Sequence, residues 1–253
     1  IDINSTKQIE NSIDHFYPNF QVRDAATLQP FSLSAGNNQQ VWLTIKTNKN
    51  IAPGKYTGKI NIQSDEGGLN SSIDINITIR NYELPPPSLE YGIYYHGRLD
   101  ANRTPTVSSE FKTSEQLKLD LLDIASHGIT IPVIYQDHNN KDLFLKYLQI
   151  MSYTGFSTKN LYLVYLNTSE AETATQRSNL QAQILRVKSM VKPFGVDKLY
   201  IYGADEAKGQ KLTSQRPAWE MIQRMGEKTY VAGYQGTFEA TGDLLDILVF
   251  ATS

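Results

Sequence analysis

The chain has 253 residues, of which 20% are charged, with a formal net charge of −2 and a mean hydropathy of −0.39. It contains no cysteine, which excludes disulfides, thiolate metal sites and cysteine nucleophiles. The near-neutral balance lacks the basic footprint of a nucleic-acid or anionic-membrane binder, and no apolar run approaches the roughly 18 residues that a membrane span needs.

Absence of cysteine does not fix a compartment. The chain starts at Ile1 rather than methionine, which is compatible with removal of a targeting segment. Sequons begin at Asn4, Asn70, Asn76, Asn102 and Asn167, as chance allows in a chain rich in Asn, Ser and Thr.

Residues 1–84 read as an all-β domain. In the phrase VWLTIKT, Val41, Leu43 and Ile45 lie on one side and Thr44 and Lys46 on the other, beside Trp42. Pro53-Gly54 makes a turn into a strand on which Tyr56, Ile60 and Ile62 share a face. Ile73, Ile75, Ile77 and Ile79 then alternate with Asp74, Asn76, Thr78 and Arg80, giving one buried and one wet face. About five strands at this spacing predict a small, incomplete β-sandwich. A proline-rich connector follows over 85–90, where Pro85, Pro86 and Pro87 can neither continue a helix nor pair in a central strand.

Residues 91–253 alternate between strand and helix. Strands are predicted over 91–97, 129–135, 161–166, from 199, over 229–234 and within 244–251. Helices are predicted over 113–127, 140–153, about 175–191 and 216–225, with Leu180, Ile184, Val187 and Val191 on one stripe of the third. Short strands joined by crossover helices specify a parallel sheet. The expected fold is a (β/α)8 barrel, apparently truncated after about six strands. A doubly wound open sheet is the rival, but HGRLDANRT after the first strand carries no Gly-rich phosphate loop.

In the barrel reading, groups just past each strand gather at one face. They are His96 and Arg98, then Gln136, Asp137 and His138, then Asn167, then Asp205 and Glu206, and finally Tyr234 and Gln235. The sharpest phrase is LYIYGADEA at 199–207, in which an apolar and aromatic run ends in two adjacent carboxylates. Strict alternation puts Glu206 on the side of Tyr200 and Tyr202 and Asp205 on the other, so the strand must end or bulge for both acids to meet one ligand. The bland reading is a solvated acid pair or a helix cap. A polar cleft with tyrosine walls and acids at its centre suits a sugar, whose C–H faces stack on aromatic rings while its hydroxyls bind amides and carboxylates. Asp137-His138 is the closest approach to a metal cluster and reads as a turn, there is no G-x-S-x-G elbow, and nothing implies a cofactor.

The sandwich phrase NQQVWLTIKTNKNIAPGKYTGKINI (38–62) followed by YIYGADEA resembles glycoside hydrolase family 123 and its broad set of relatives. The resemblance implies a β-sandwich joined to a barrel, and β-N-acetylgalactosaminidase activity by substrate-assisted retention. The substrate's own 2-acetamido oxygen attacks the anomeric carbon, Glu206 is the general acid, and Asp205 orients the acetamido group. Tyr234 is the candidate donor to the acetamido oxygen, and His96, Arg98, Asp137, Asn167, Tyr202 and Gln235 complete the expected substrate contacts. Adjacent carboxylates in contact resist ionising together, which also favours unequal roles. An extracytoplasmic bacterial setting and a glycan or glycoconjugate substrate follow from the same resemblance; exo or endo action and oligomeric state stay open.

Two alternatives remain at this stage. One is a retaining glycosidase with a separate carboxylate nucleophile beyond Ser253; that clan commonly shows Asn-Glu where Asp205-Glu206 stands here. The other is a carbohydrate-binding or surface protein without turnover.

Overall fold

The computed structural model describes residues 30–251 except Trp42, Lys49, Glu66, Pro86, Pro87 and residues 106–108. The first third of the expected sandwich, Trp42 and two prolines of the connector therefore lie outside the described residues. The chain divides into two compact units at Ser88/Leu89.

In the first unit, β1 (Gly54–Gln63) and β2 (Asn70–Ile79) form an antiparallel hairpin. Tyr56 pairs with Ile77, Gly58 with Ile75 and Ile60 with Ile73, so the two apolar rows lie on the same side of the ribbon. The expected sandwich is corrected here. Among the described residues the unit contains this hairpin and no second sheet, and the described part of 41–47 forms no strand. Val41, Leu43 and Ile45 are 52%, 41% and 55% exposed, so their alternation marks a potential face with no layer packed on it. Period-two alternation specifies which side chains share a face but supplies no partner sheet.

The second unit begins with β3 (Gly92–Tyr95), followed by the short parallel pair β4 (Arg98–Leu99) and β5 (Phe111–Lys112). Then come α1 (Ser114–Ser126), β6 (Ile131–Ile134), α2 (Lys141–Tyr153), β7 (Asn160–Asn167) and α3 (Ala174–Val191). The series closes with β8 (Lys198–Tyr202), α4 (Gly209–Thr213), α5 (Arg216–Arg224), β9 (Lys228–Gly233), α6 (Thr237–Thr241) and β10 (Ile247–Phe250).

The helices start where their chemistry says they should. Thr113 and Thr173 cap α1 and α3 in reciprocal capping boxes with Gln116 and Gln176, and Asn140 caps α2 by accepting from Leu143 N–H. The α3 stripe of Leu180, Ile184, Val187 and Val191 is buried, as its spacing requires.

Six strands form one parallel sheet in the order β3-β6-β7-β8-β9-β10. Strand order follows chain order without reversal, so there is no switch-point crevice of the doubly wound kind. The barrel expectation is also corrected: the sheet is an open half-barrel with edges at β3 and β10. A β/α rhythm dictates parallel neighbours and crossover direction, but closure requires strand number and shear that the rhythm does not encode.

The two faces of the sheet differ. Leu161, Leu163, Leu199, Ile201 and Val231 join the helices in the main core. The other face is paved with tyrosine: Tyr162, Tyr202 and Tyr230 are buried together with Val133, and Tyr94, Tyr135 and Tyr200 pack against them. Below the acids, the base of β8 is pinned by Glu227, whose buried carboxylate accepts from Leu199 N–H at 2.7 Å and from Lys188.

Candidate functional site

Parallel strands in chain order bring the ends of β3, β6, β7, β8 and β9 to one rim, and the candidate acids stand there on the loop after β8. That strand ends at Tyr202, so strict alternation does not extend to Asp205 and Glu206. Gly203 N–H donates to Tyr230 C=O at 2.8 Å and Glu206 N–H to Ala232 C=O at 3.0 Å, so the loop stays anchored to β9. Glu206 has φ of 50°, the single non-glycine residue with positive φ among those described. Left-handed backbone at a residue other than Gly, Asn or Asp is unfavourable and is held only by its surroundings.

Those surroundings are a buried polar knot beneath the loop. Gln215 Oε1 accepts from Ala204 N–H at 2.6 Å and from the Thr168 hydroxyl at 2.7 Å, while Trp219 Nε1–H donates to Thr168 Oγ1 at 3.2 Å. Thr168, Gln215 and Trp219 are all buried. Gly203 has no room for a side chain: a Cβ there would lie 2.6 Å from Val231 Cγ2 and 3.1 Å from Trp219 Cζ2. The glycine that the sequence placed before the acids is therefore a packing requirement.

Each acid has its own tyrosine. The Tyr202 hydroxyl donates to Asp205 Oδ1 at 2.6 Å, and the Tyr234 hydroxyl donates to Glu206 Oε2. Burial, then the bond to Asp205, raises Tyr202 far above the ordinary phenol range; the bond to Glu206 is the main cause of the rise at Tyr234. Both phenols are thus protonated donors at neutral pH. Lys208 Nζ lies 3.8 Å from the centre of the Tyr234 ring. Both carboxylates are exposed and accessible from solvent. The Asp205 charge also helps raise Tyr94 and Tyr135, the latter to about 12 with burial as the larger cause.

The tyrosines form a continuous aromatic path. Tyr162 stacks on Tyr200 at 4.2 Å, Tyr202 lies 4.8 Å from Tyr230 and 6.1 Å from Tyr94, and Tyr135 is 4.0 Å from His96 and 6.0 Å from Tyr165. Such ring pairs add about 0.5–1.5 kcal/mol each beyond area burial.

The other expected contacts divide sharply. His96 is exposed on the Tyr135 ring and Gln235 is exposed beside Tyr234, so both are available at the rim. Arg98 is already engaged: it donates to Tyr165 Oη at 2.6 Å and Glu110 Oε1 at 2.8 Å, and packs over Phe111. Gln136 is buried and grips β4, accepting from Leu99 N–H and donating to Leu99 C=O. Asp137 accepts from Asn139 N–H in a local turn, and Asn167 donates to Val164 C=O while accepting from Ser169 N–H. Asn167 also marks the register shift between β7 and β8, a bulge that seats it opposite Tyr202.

His138 is buried, with Nε2 3.3 Å from Tyr165 C=O and Nδ1 3.1 Å from Arg186. Desolvation, the largest cause, lowers its pKa. The folded chain therefore prefers the neutral ring, so this contribution to stability is present above the unfolded value near 6.5 and is lost as pH falls through the lower folded value. Thermal melts at pH 7 and pH 5 should show a drop in Tm at pH 5 that is smaller in His138→Gln. An equal drop in both proteins would remove His138 as its source.

Tyr94, Tyr135, Tyr165 and Tyr230 escaped the sequence reading of the site, as did the Thr168-Gln215-Trp219 knot. Their signal was tyrosine recurring on one face of successive strands, as at Tyr162 of β7 and at Tyr200 and Tyr202 of β8. Among the described residues no group of three or more His, Cys, Asp or Glu is placed to hold a metal, and no helix is long and apolar enough to cross a membrane. No protein-family model matches the chain, and no curated protein matches it. The resemblance to glycoside hydrolase family 123 rests on the residues quoted above.

Proposed function

We propose that the chain acts on glycans as a β-N-acetylhexosaminidase, with N-acetylgalactosamine favoured, by substrate-assisted retention. The observation that carries this reading is the acid pair, each carboxylate held by a separate tyrosine hydroxyl, at the rim of a tyrosine-paved sheet face. Aromatic rings and adjacent carboxylates are what sugar recognition and glycosidic proton transfer require.

In this mechanism the 2-acetamido oxygen forms a bond to the anomeric carbon as the glycosidic C–O bond breaks. Glu206 gives its proton to the departing oxygen. Water then attacks the anomeric carbon of the oxazolinium intermediate, Glu206 takes the proton, and the ring opens to restore the acetamido group. Asp205, fixed by Tyr202, holds the acetamido N–H and balances the positive charge that develops on the ring. Tyr234 exchanges Glu206 for the acetamido oxygen when substrate enters, which leaves the Glu206 carboxyl facing the leaving group. Gln235, just past the neighbouring strand β9, completes the sugar contacts at the acids, and His96, on the same rim three strands away past β3, is available to a longer glycan. The bacterial extracytoplasmic setting belongs to the same proposal and has the family resemblance as its support.

Release of chromophore from aryl β-GalNAc, β-GlcNAc and β-galactoside substrates tests the reading. Cleavage confined to the acetamido sugars is expected, and equal cleavage of the galactoside would contradict it. Tyr234→Phe removes one hydrogen bond to a charged or charging group, so kcat/KM on the acetamido sugars should fall by roughly 10- to 100-fold. An unchanged value would take Tyr234 out of the mechanism.

A second reading has one observation in its favour: both acids lie on an open, exposed rim, as in a binding surface. In that case the protein binds N-acetylhexosamine without turnover, and Glu206→Gln leaves affinity unchanged with no activity to lose.

A further inference from the structure

A cavity of about 400 Å³ in the second unit does not lie over the acids. It lies between the end of β7 and the first half of α3, where Tyr165, Asn167, Glu170, Gln176, Asn179 and Gln183 line it. Its volume falls in the range of small-ligand sites, about 300–1,000 Å³.

The lining is chemically selective. Gln176, Asn179 and Gln183 recur at helical spacing and present a row of carboxamides along one side of α3. The Gln176 oxygen is taken by the cap, where it accepts from Thr173 N–H, which leaves its NH2 group to the cavity. The side-chain carboxamides of Asn179 and Gln183 have no hydrogen-bond partner among the described residues. A carboxamide both donates and accepts, as a sugar hydroxyl does, and it asks for no charge in its partner. The lining holds one carboxylate, Glu170, and no Lys, Arg or His, which disfavours phosphate or any other anion. Tyr165 also lines the cavity; it is 41% exposed, with Arg98 at its hydroxyl and 5.7 Å from its ring centre, and His138 at its carbonyl.

We infer that this cavity is a second carbohydrate subsite, which binds one neutral sugar unit of a longer chain by carboxamide hydrogen bonds and stacking on Tyr165. It adjoins the acids through the backbone, because Asn167 pairs with Tyr202 and Thr168 N–H donates to Tyr202 C=O at 3.0 Å. The identity of the ligand rests on the glycan reading above; the polarity and neutrality of the site do not.

The test is calorimetric titration of wild type, Asn179→Ala/Gln183→Ala and Glu206→Gln with N,N′,N″-triacetylchitotriose, and with inorganic phosphate as the charged control. Both alanines sit on the outer face of a helix, where alanine is favourable, so folding should be preserved. Loss of these hydrogen bonds should weaken trisaccharide binding about tenfold or more in the double variant, while Glu206→Gln binds as wild type does. Hydrolysis of an aryl β-N-acetylgalactosaminide, which occupies only the acid site, should be unchanged in the double variant. Unchanged trisaccharide affinity in the double variant, binding of phosphate in preference to sugar, or no sugar binding by wild type would each overturn the subsite. The two readings fail separately: aryl glycoside turnover with trisaccharide binding insensitive to Asn179 and Gln183 removes the subsite alone, and sugar binding lost in the double variant without any turnover removes the hydrolase alone.

Discussion

Glu206→Gln is expected to lower kcat/KM on β-N-acetylhexosaminides by about 10²–10⁴-fold, the usual contribution of a positioned general acid. Gln keeps the acceptor that Tyr234 needs and the left-handed backbone at φ 50°, so the variant removes the proton and little else. Glu206 is exposed, so Tm should stay within a degree or two of wild type. The loss should also depend on the leaving group. A nitrophenolate departs with little help and should show the smaller defect, whereas a sugar or alkyl leaving group needs the proton and should show the larger one. Activity within twofold of wild type on a disaccharide would remove Glu206 from the chemistry.

Trp219→Ala should be the most damaging single change to the fold of the site. The indole is fully buried, and emptying such a position costs about 3–5 kcal/mol. Against the 5–15 kcal/mol that holds a typical domain together, that is a large fraction. The effect reaches the acids through named contacts. The indole stands close beside Gly203, and its N–H holds Thr168, which with Ala204 shares the Gln215 oxygen. Trp219→Phe fills much of the volume without the donor and should cost less than the alanine in denaturant melts. If alanine and phenylalanine were equally mild, below about 1 kcal/mol, the loop after β8 would have to be held by something other than this knot.

The legible parts of the fold were those encoded locally. The helices predicted over 113–127 and about 175–191 form behind the caps Thr113 and Thr173, and the stripe of Leu180, Ile184, Val187 and Val191 falls on a buried face. The strand ends followed from the same logic, and with them the one rim on which the residues past β3, β8 and β9 stand. The short helices α4 and α6 span five residues each, too few to show a period.

What depends on distant partners was not legible. Alternation at Val41, Leu43 and Ile45 looks like half of a sandwich whether or not a second sheet exists. A β/α rhythm reads the same in an open half-barrel as in a closed barrel. Arg98 looked like a free cation for substrate, yet its partners lie 12 and 67 residues away at Glu110 and Tyr165. Gln136 and Asn167 likewise turned out to hold backbone. Adjacency of Asp205 and Glu206 suggested carboxylates in mutual contact; the fold instead gives each its own phenol, a pairing that arises from a strand three residues back and another 28 residues on.

The measurement closest to the central claim is the rate of hydrolysis of aryl β-N-acetylgalactosaminides whose acetyl methyl group carries zero, one, two or three fluorine atoms. Fluorine withdraws electrons from the amide oxygen and weakens it as a nucleophile while barely changing its size. Substrate-assisted catalysis predicts a steep, progressive fall in kcat/KM across the series. A flat series would mean that the acetamido oxygen does not attack the anomeric carbon, and the roles given to Asp205 and Tyr234 would fall with it.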